Sequence, residues 1–304
     1  MAKNRVRRRI TALAGSLAMV ALTLGFATGP AAAAPPPPVN YVALGDSYTA
    51  GTGAGGSVRT AVCWQSDGGY VDLVDASQRV DLVANAACHG AILAFDPLNP
   101  SPFYNGAPTV AEQIAALALS RDLSGETDLV SITAGAIDAG SLLALQACST
   151  PNTQLCAATV AGIIQNLGSL EAALELTYQS IQAAAPNATI VVMGYPRLFD
   201  PSQGDIVIGG VTVVPVENQI AVNTAVDALN ATIAKAVAES GTNAVFVDVT
   251  KRFLGHAVNS DNPWIVLDLT HPLADSNFHP NDAGHQAYAS ALLSAVKPAK
   301  LVKQ

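Results

Sequence analysis

Apolar runs and polar breaks alternate along this chain at two length scales. Short, mainly apolar runs lie at 40–44, 80–83, 129–133, 189–193 and 244–249. Between them, segments at about 108–120, 157–185, 217–240 and 283–297 are long enough for helices. Strands alternating with helices imply a parallel sheet with helices on both faces. The mainly apolar, non-alternating character of the runs fits strands covered from both sides. One segment breaks the rhythm. Residues 206–214 read Ile-Val-Ile-Gly-Gly-Val-Thr-Val-Val, and Gly209-Gly210 between β-branched runs predicts a hairpin outside the sheet. No internal repeat and no linker divide the chain after residue 40, so 40–304 reads as one domain.

The first forty residues follow a different logic. Lys3, Arg5, Arg7, Arg8 and Arg9 precede an apolar run over about 10–27, and Ala31-Ala32-Ala33-Ala34 follows it. Basic head, apolar middle and small residues at the end are the parts of a secretory signal, assigned to 1–34, and imply bacterial export. The Ala- and Thr-rich run with its cleavage pattern argues against a retained anchor, so no stable membrane anchor is expected. Residues 35–39 form a stiff Pro-rich spacer.

Half of the 304 residues are apolar and 12% are charged, which excludes a disordered polymer and supplies a sizeable core. The net charge is -8, and the basic cluster before residue 10 contains no acid, so the remainder is more acidic still. Such a surface repels phosphate backbones and excludes nucleic acid as a partner. In an oxidising compartment Cys63, Cys88, Cys148 and Cys156 read as two disulfides in preference to a metal site. Three connectivities are open, and the short local loops favour 63–88 and 148–156. His89 and His271 have no partner at ligand spacing, so neither metal nor cofactor is expected.

Ligands of open parallel sheets bind beyond the carboxyl ends of the strands. The polar segments there are Gly45-Asp46-Ser47-Tyr48, Asn85 to Gly90, Gly135 to Asp138, Gly194-Tyr195-Pro196, and a later loop with Phe278-His279-Pro280-Asn281. All fall on one edge. A serine at a strand–helix turn becomes a nucleophile when a base takes its proton and amides face the developing oxyanion. Ser47 and His279 fit those roles, while Asp46 reads as an anchor of the turn and His285 as part of the last helix.

Gly45-Asp46-Ser47-Tyr48-Thr49-Ala50-Gly51, with His279-Pro280-Asn281 near the C-terminus, resembles the SGNH (GDSL) hydrolases, especially their secreted bacterial esterases and lipases. Asn85, Gly90 and Gly194-Tyr195-Pro196 extend the likeness over about 40–297. The resemblance implies a three-layer α/β/α, flavodoxin-like fold with a central five-stranded parallel sheet. It also implies a monomeric ester hydrolase acting through an acyl-enzyme, with no cofactor, on a small-molecule or lipid acyl ester. Ser47 is then the nucleophile and His279 the general base, the amides of Ser47 and Gly90 belong to the oxyanion hole, and the local disulfide pairing gains support.

The chain departs from that pattern twice. The position that holds an oxyanion-hole Asn in the family is Ile137, and losing one such donor costs about 10²–10³ in rate. The position three residues before the His, often Asp, is Ser276. The expected arrangement is a Ser–His dyad with the Ser276 carbonyl on the imidazole, in preference to Asp275.

Two rival readings remain weaker. Gly51, Gly53 and Gly56 satisfy Gly-x-Gly-x-x-Gly but come too far beyond the strand for a dinucleotide fingerprint. A non-catalytic lipid- or carbohydrate-binding relative is supported by Ile137 alone. The apolar stretches 91–95 and 141–145 read as loops able to line an acyl groove.

Overall fold

The computed structural model describes residues 37–301, apart from Gln78 and Asn99. The proposed signal segment and the first two residues of the spacer lie outside the described residues.

Five strands, β1 (Val39–Gly45), β2 (Val80–Asn85), β3 (Leu129–Thr133), β4 (Thr189–Met193) and β7 (Ala244–Val247), form a parallel sheet. Their order is β2-β1-β3-β4-β7. The sheet therefore grows outward in opposite directions from β1, the arrangement of a flavodoxin-like fold, and the crevice opens beyond the ends of β1 and β3. β3 is buried along its whole length and β1 at all but one position, which is why these strands carry no polar alternation.

Helices cover the sheet in two groups. α2 (Tyr70–Asp75) packs on α7 (Asp282–Val296), while α5 (Thr153–Ala184) packs against both α3 (Val110–Ser120) and α6 (Val216–Glu239). α3 starts at a capping box, with Thr109 Oγ1 accepting from the Glu112 amide and the Glu112 carboxylate accepting from the Thr109 amide. Gln113, on the first turn, reaches across to the end of β1. Its Oε1 accepts from Gly45 N at 2.7 Å and its Nε2 donates to Gly45 O at 3.0 Å. Both main-chain groups of the last strand residue are thereby satisfied inside the protein, which fixes where β1 stops.

Residues 206–214 form the expected hairpin, β5 (Ile206–Ile208) and β6 (Val211–Val214), antiparallel and separate from the main sheet. The 141–145 stretch is corrected: it is not a loop but most of α4 (Ser141–Cys148). Leu, Ala and Gln favour a helix there, but Gly140 at its N-terminus offers no side-chain cap, so the boundary carries no signal. α5 also begins earlier than its apolar pattern predicts, at Thr153, because Asn152 caps it through the Leu155 amide. Cys148–Cys156 ties α4 to α5, and Cys63–Cys88 closes a loop of sequence separation 25. Both pairings match the local connectivity.

Candidate active site

The turn after β1 is built from two residue types that each have a physical reason. Gly45 has φ +127°, and a Cβ there would lie 2.2 Å from the Thr133 carbonyl oxygen. Only glycine lets β1 and β3 come that close before the chain turns. Asp46 then caps α1 (Ser47–Ala50), its Oδ1 accepting from the Tyr48 amide at 3.0 Å. The same oxygen accepts from Thr133 Oγ1 at 2.6 Å, and Oδ2 accepts from the Tyr195 hydroxyl at 2.5 Å. Asp46 is 2% exposed. Burial pushes its pKa up to about 6, against the opposing pull of the Thr133, Tyr195 and Tyr48 donors. It anchors the turn and does not touch His279.

Ser47, at the first helical position, directs its hydroxyl to His279. Oγ and Nε2 are 2.7 Å apart. On the other side of the ring, Nδ1 is 2.9 Å from the main-chain oxygen of Asn277. A carbonyl only accepts, so Nδ1 carries the hydrogen and Nε2 presents its lone pair to the serine hydroxyl. This corrects the expected Ser276 carbonyl, which instead accepts from the main-chain amide of His279. The Asp275 carboxylate makes no hydrogen bond to the imidazole of His279. It faces His89 Nε2 at 3.7 Å.

The histidine loop is tied to its surroundings at Phe278. Phe278 has φ +62°, a left-handed conformation that costs a bulky side chain energy. Its carbonyl accepts from the Tyr48 hydroxyl at 2.7 Å, and its amide donates to Val266 O at 2.8 Å. Tyr48 thus links the helix bearing Ser47 directly to the residue before His279. The glycines of the 51–56 loop contribute by absence: a Cβ on Gly53 would lie 2.4 Å from the Pro280 carbonyl oxygen. Gly53 allows this loop to lie against the histidine segment, while Gly51 and Gly56 pack against residues 66–69.

Burial, then the charge of nearby His89, lowers the pKa of His279 to about 3. His89 Nδ1 is 3.0 Å from Thr52 Oγ1, and its ring stacks on Trp64. Burial also lowers the pKa of His285, to about 4. His285 sits in α7, where it accepts from Tyr70 N and donates to Thr52 O, so it serves the core. His271 pairs with Asp268 on the surface.

The amides of Ser47 and Gly90 have no main-chain or side-chain acceptor among the described residues, although both residues line the cleft containing His279. Gly90 has φ +81° and follows Cys88, so the first disulfide holds its loop. Unpaired amides beside a Ser–His pair are suited to receive an anion that forms during a reaction. Ile137 lines the same cleft and offers no side-chain donor. Asn85 lies apart from the pair, its Oδ1 accepting from the Ala87 amide. Asn230 holds Tyr195 through both its main-chain groups.

The cleft has a volume of about 840 Å³. Its lining is largely aliphatic: Leu142 and Leu145 from α4, Ile206 and Val213 from the hairpin, and Leu267 from the histidine loop. Of the two stretches proposed to line an acyl groove, only the second does so; Ala91, Ile92 and Leu93 are core residues. Sequence reasoning missed Asn105 and the hairpin as parts of this cleft. Distant in sequence from every motif, both are brought in by the topology. Among the described residues the one potential metal cluster, Glu171, Glu175 and Glu239, has Lys235 as its counter-ion and none of its members lines this cleft.

A three-layer α/β/α fold with a serine–histidine pair over the carboxyl edge of its sheet, opening into an apolar cleft, is a serine ester hydrolase. The description of a matching family model agrees: the GDSL-like Lipase/Acylhydrolase family, over residues 43–287. The chain belongs to that family. It is 32% identical to a lipase of Streptomyces rimosus over 298 residues, covering 96% of this chain and 99% of that protein. It is 32% identical to Lipase 1 of Streptomyces coelicolor, covering 90% and 93%. Among solved structures, the extracellular lipase of Streptomyces rimosus matches with a TM-score of 0.67 at 31% identity, covering 84% of this chain and 99% of that one. Phospholipase A1 from Streptomyces albidoflavus matches with a TM-score of 0.65 at 28% identity, over 84% and 98%.

Proposed function

We propose that this protein is an exported, monomeric carboxylester hydrolase that cleaves neutral acyl esters of short to medium chain length through an acyl-enzyme on Ser47. The observation that carries the reading is the 2.7 Å contact of Ser47 Oγ with His279 Nε2 at the mouth of the apolar cleft. His279 Nε2 takes the hydroxyl proton as Oγ attacks the ester carbonyl carbon, and the carbonyl electron pair moves onto oxygen. The amides of Ser47 and Gly90 stabilise that oxyanion. When the intermediate collapses, the C–O bond to the alcohol breaks and the imidazolium returns the proton to the departing alkoxide. A water molecule then repeats the sequence on the acyl-enzyme, and Ser47 leaves with its proton restored. The Asn277 carbonyl, taking the place of a carboxylate, steadies the imidazolium with a dipole instead of a full charge.

The cleft also supports a choice of substrate. None of its lining residues is Lys or Arg, while Asp46 and Asp275 are among them, so an anionic headgroup finds no counter-charge. Leu273, at the mouth, is 95% exposed and Leu269 44%, a rim suited to an apolar chain. The 1–34 segment is read as the export signal and 40–304 as the catalytic domain. No helix among the described residues is long and apolar enough to cross a membrane.

The test is a series of p-nitrophenyl esters from acetyl to palmitoyl, given to the purified protein and to Ser47→Ala. Turnover should disappear in the variant, and the preferred chain length separates esterase from lipase. Equal turnover in both proteins would remove Ser47 from the mechanism.

A further inference from the structure

Two main-chain donors leave the proposed oxyanion hole short of the side-chain donor that Ile137 has displaced. A carboxamide from elsewhere in the chain lies in the same cleft. Asn105 belongs to the loop before α3 and lines the cleft with Ser47, Gly90 and His279. It lies flat on Gly90: a Cβ there would fall 2.1 Å from Asn105 Nδ2 and 2.6 Å from its Cγ. Glycine at position 90 is what makes room for the amide.

Two hydrogen bonds set the plane and direction of that group. Oδ1 accepts from the Ala107 amide at 3.0 Å, and Nδ2 donates to the His89 carbonyl at 3.2 Å. Because the Ala107 N–H requires an acceptor, the oxygen end is assigned, and the end bonded to His89 is the donor. One Nδ2 hydrogen is used, and the second has no acceptor among the described residues. The side chain lies against Gly90, whose amide also has no acceptor among the described residues.

We propose that Asn105 is the third oxyanion donor of this enzyme, supplied from the loop before α3 in place of the residue lost at Ile137. The proposal rests on the Ser47–His279 reading above. When Ser47 Oγ bonds to the ester carbon, the negative oxygen accepts from the Ser47 amide, the Gly90 amide and Asn105 Nδ2. Because the donor acts on charge that develops in the transition state, its loss should fall on kcat and leave KM nearly unchanged.

One variant is Asn105→Asp, which keeps the acceptor for Ala107 and the shape of the side chain while removing both Nδ2 hydrogens. Steady-state kinetics on the best p-nitrophenyl ester should show kcat reduced by about 10²–10³, with KM little changed and an unaltered melting temperature. Fluorophosphonate labelling of Ser47 should slow in parallel. The same kcat-specific loss is expected of Asn105→Ala, which adds no charge beside the oxyanion. A role confined to holding the loop through Ala107 and His89 predicts instead a lower melting temperature with kcat near normal in Asn105→Ala. A kcat loss of less than about tenfold in that folded variant overturns the proposal. Ser47→Ala runs beside both. If it is inactive while the Asn105 variants are normal, the donor assignment fails and the serine mechanism stands; if it retains turnover, the serine mechanism itself fails.

Discussion

Removing the hydroxyl of Tyr195 should destabilise this protein by an amount that depends on pH, and the dependence reports the charge on Asp46. The Tyr195 hydroxyl donates to Asp46 Oδ2 at 2.5 Å, inside a buried cluster. Burial raises the Asp46 pKa from 3.8 to about 6. Its folded pKa therefore lies above its unfolded value, so ionising the carboxylate costs stability as pH rises through 6. Tyr195→Phe takes a donor from the ionised form at pH 8 but from the protonated form at pH 5. A hydrogen bond to a charged group contributes about 1.5–3 kcal/mol and a neutral one about 0.5–1.5. The expected loss is about 2 kcal/mol at pH 8 and about 1 at pH 5. That difference of about 1 kcal/mol corresponds to a further rise of about 0.7 in the Asp46 pKa, to nearly 7. Urea titrations of both proteins at the two pH values measure it directly. In thermal melts the shift should be about 4–8 °C at pH 8 and about half that at pH 5. Comparing variant with parent cancels the buried histidines, which titrate in both. An equal loss at both pH values would mean that Asp46 does not change charge in this range, and the burial argument would fall.

Two other outcomes follow from the site. Since burial lowers the pKa of His279 to about 3, its base form persists as pH falls, and kcat/KM should hold well below pH 6.5 before it drops. Initial rates after a rapid jump into acidic buffer check this, and an acid limb centred at pH 6.5 would refute the shift. The two disulfides should fail differently. Their loops, with separations of 25 and 8, correspond to about 3.5 and 2.5 kcal/mol of chain entropy. Replacing Cys63 and Cys88 with serine should lower the melting temperature more and also reduce kcat, because Cys88 holds the Gly90 loop. Replacing Cys148 and Cys156 should act mainly on KM, through α4 and the cleft wall. Identical kinetic effects from the two pairs would count against this division.

The sheet was legible because its central strands, β1, β3 and β4, are buried on both faces, which leaves mainly apolar runs. The hairpin was legible from Gly209-Gly210, the residues a tight turn demands. α4 was not, since Gly140 gives its start no cap and its run of Leu and Ala reads equally well as a loop lining. Ser47 and His279 could be paired from sequence because each sits immediately beyond a strand or in a loop at the same edge. What orients His279 could not. A main-chain carbonyl has no residue type, so nothing at Asn277 distinguishes it from Ser276 until the loop conformation, fixed by the positive φ of Phe278, is known.

Asn105 shows why a departure from a family pattern does not by itself signal lost chemistry. An oxyanion responds to the position and direction of N–H groups and is indifferent to which segment supplies them. A position-by-position reading compares Ile137 with the family's Asn and finds a missing donor. The fold brings a different asparagine, 32 residues earlier in the chain, to the other side of the same cleft. Gly90 records the exchange. Its positive φ alone would accept Asn or Asp at modest cost, but a Cβ there would fall 2.1 Å from Asn105 Nδ2 and push that amide aside. Gly90→Ala should therefore cost more in kcat than a strained backbone explains, because it displaces the Asn105 amide along with its own N–H.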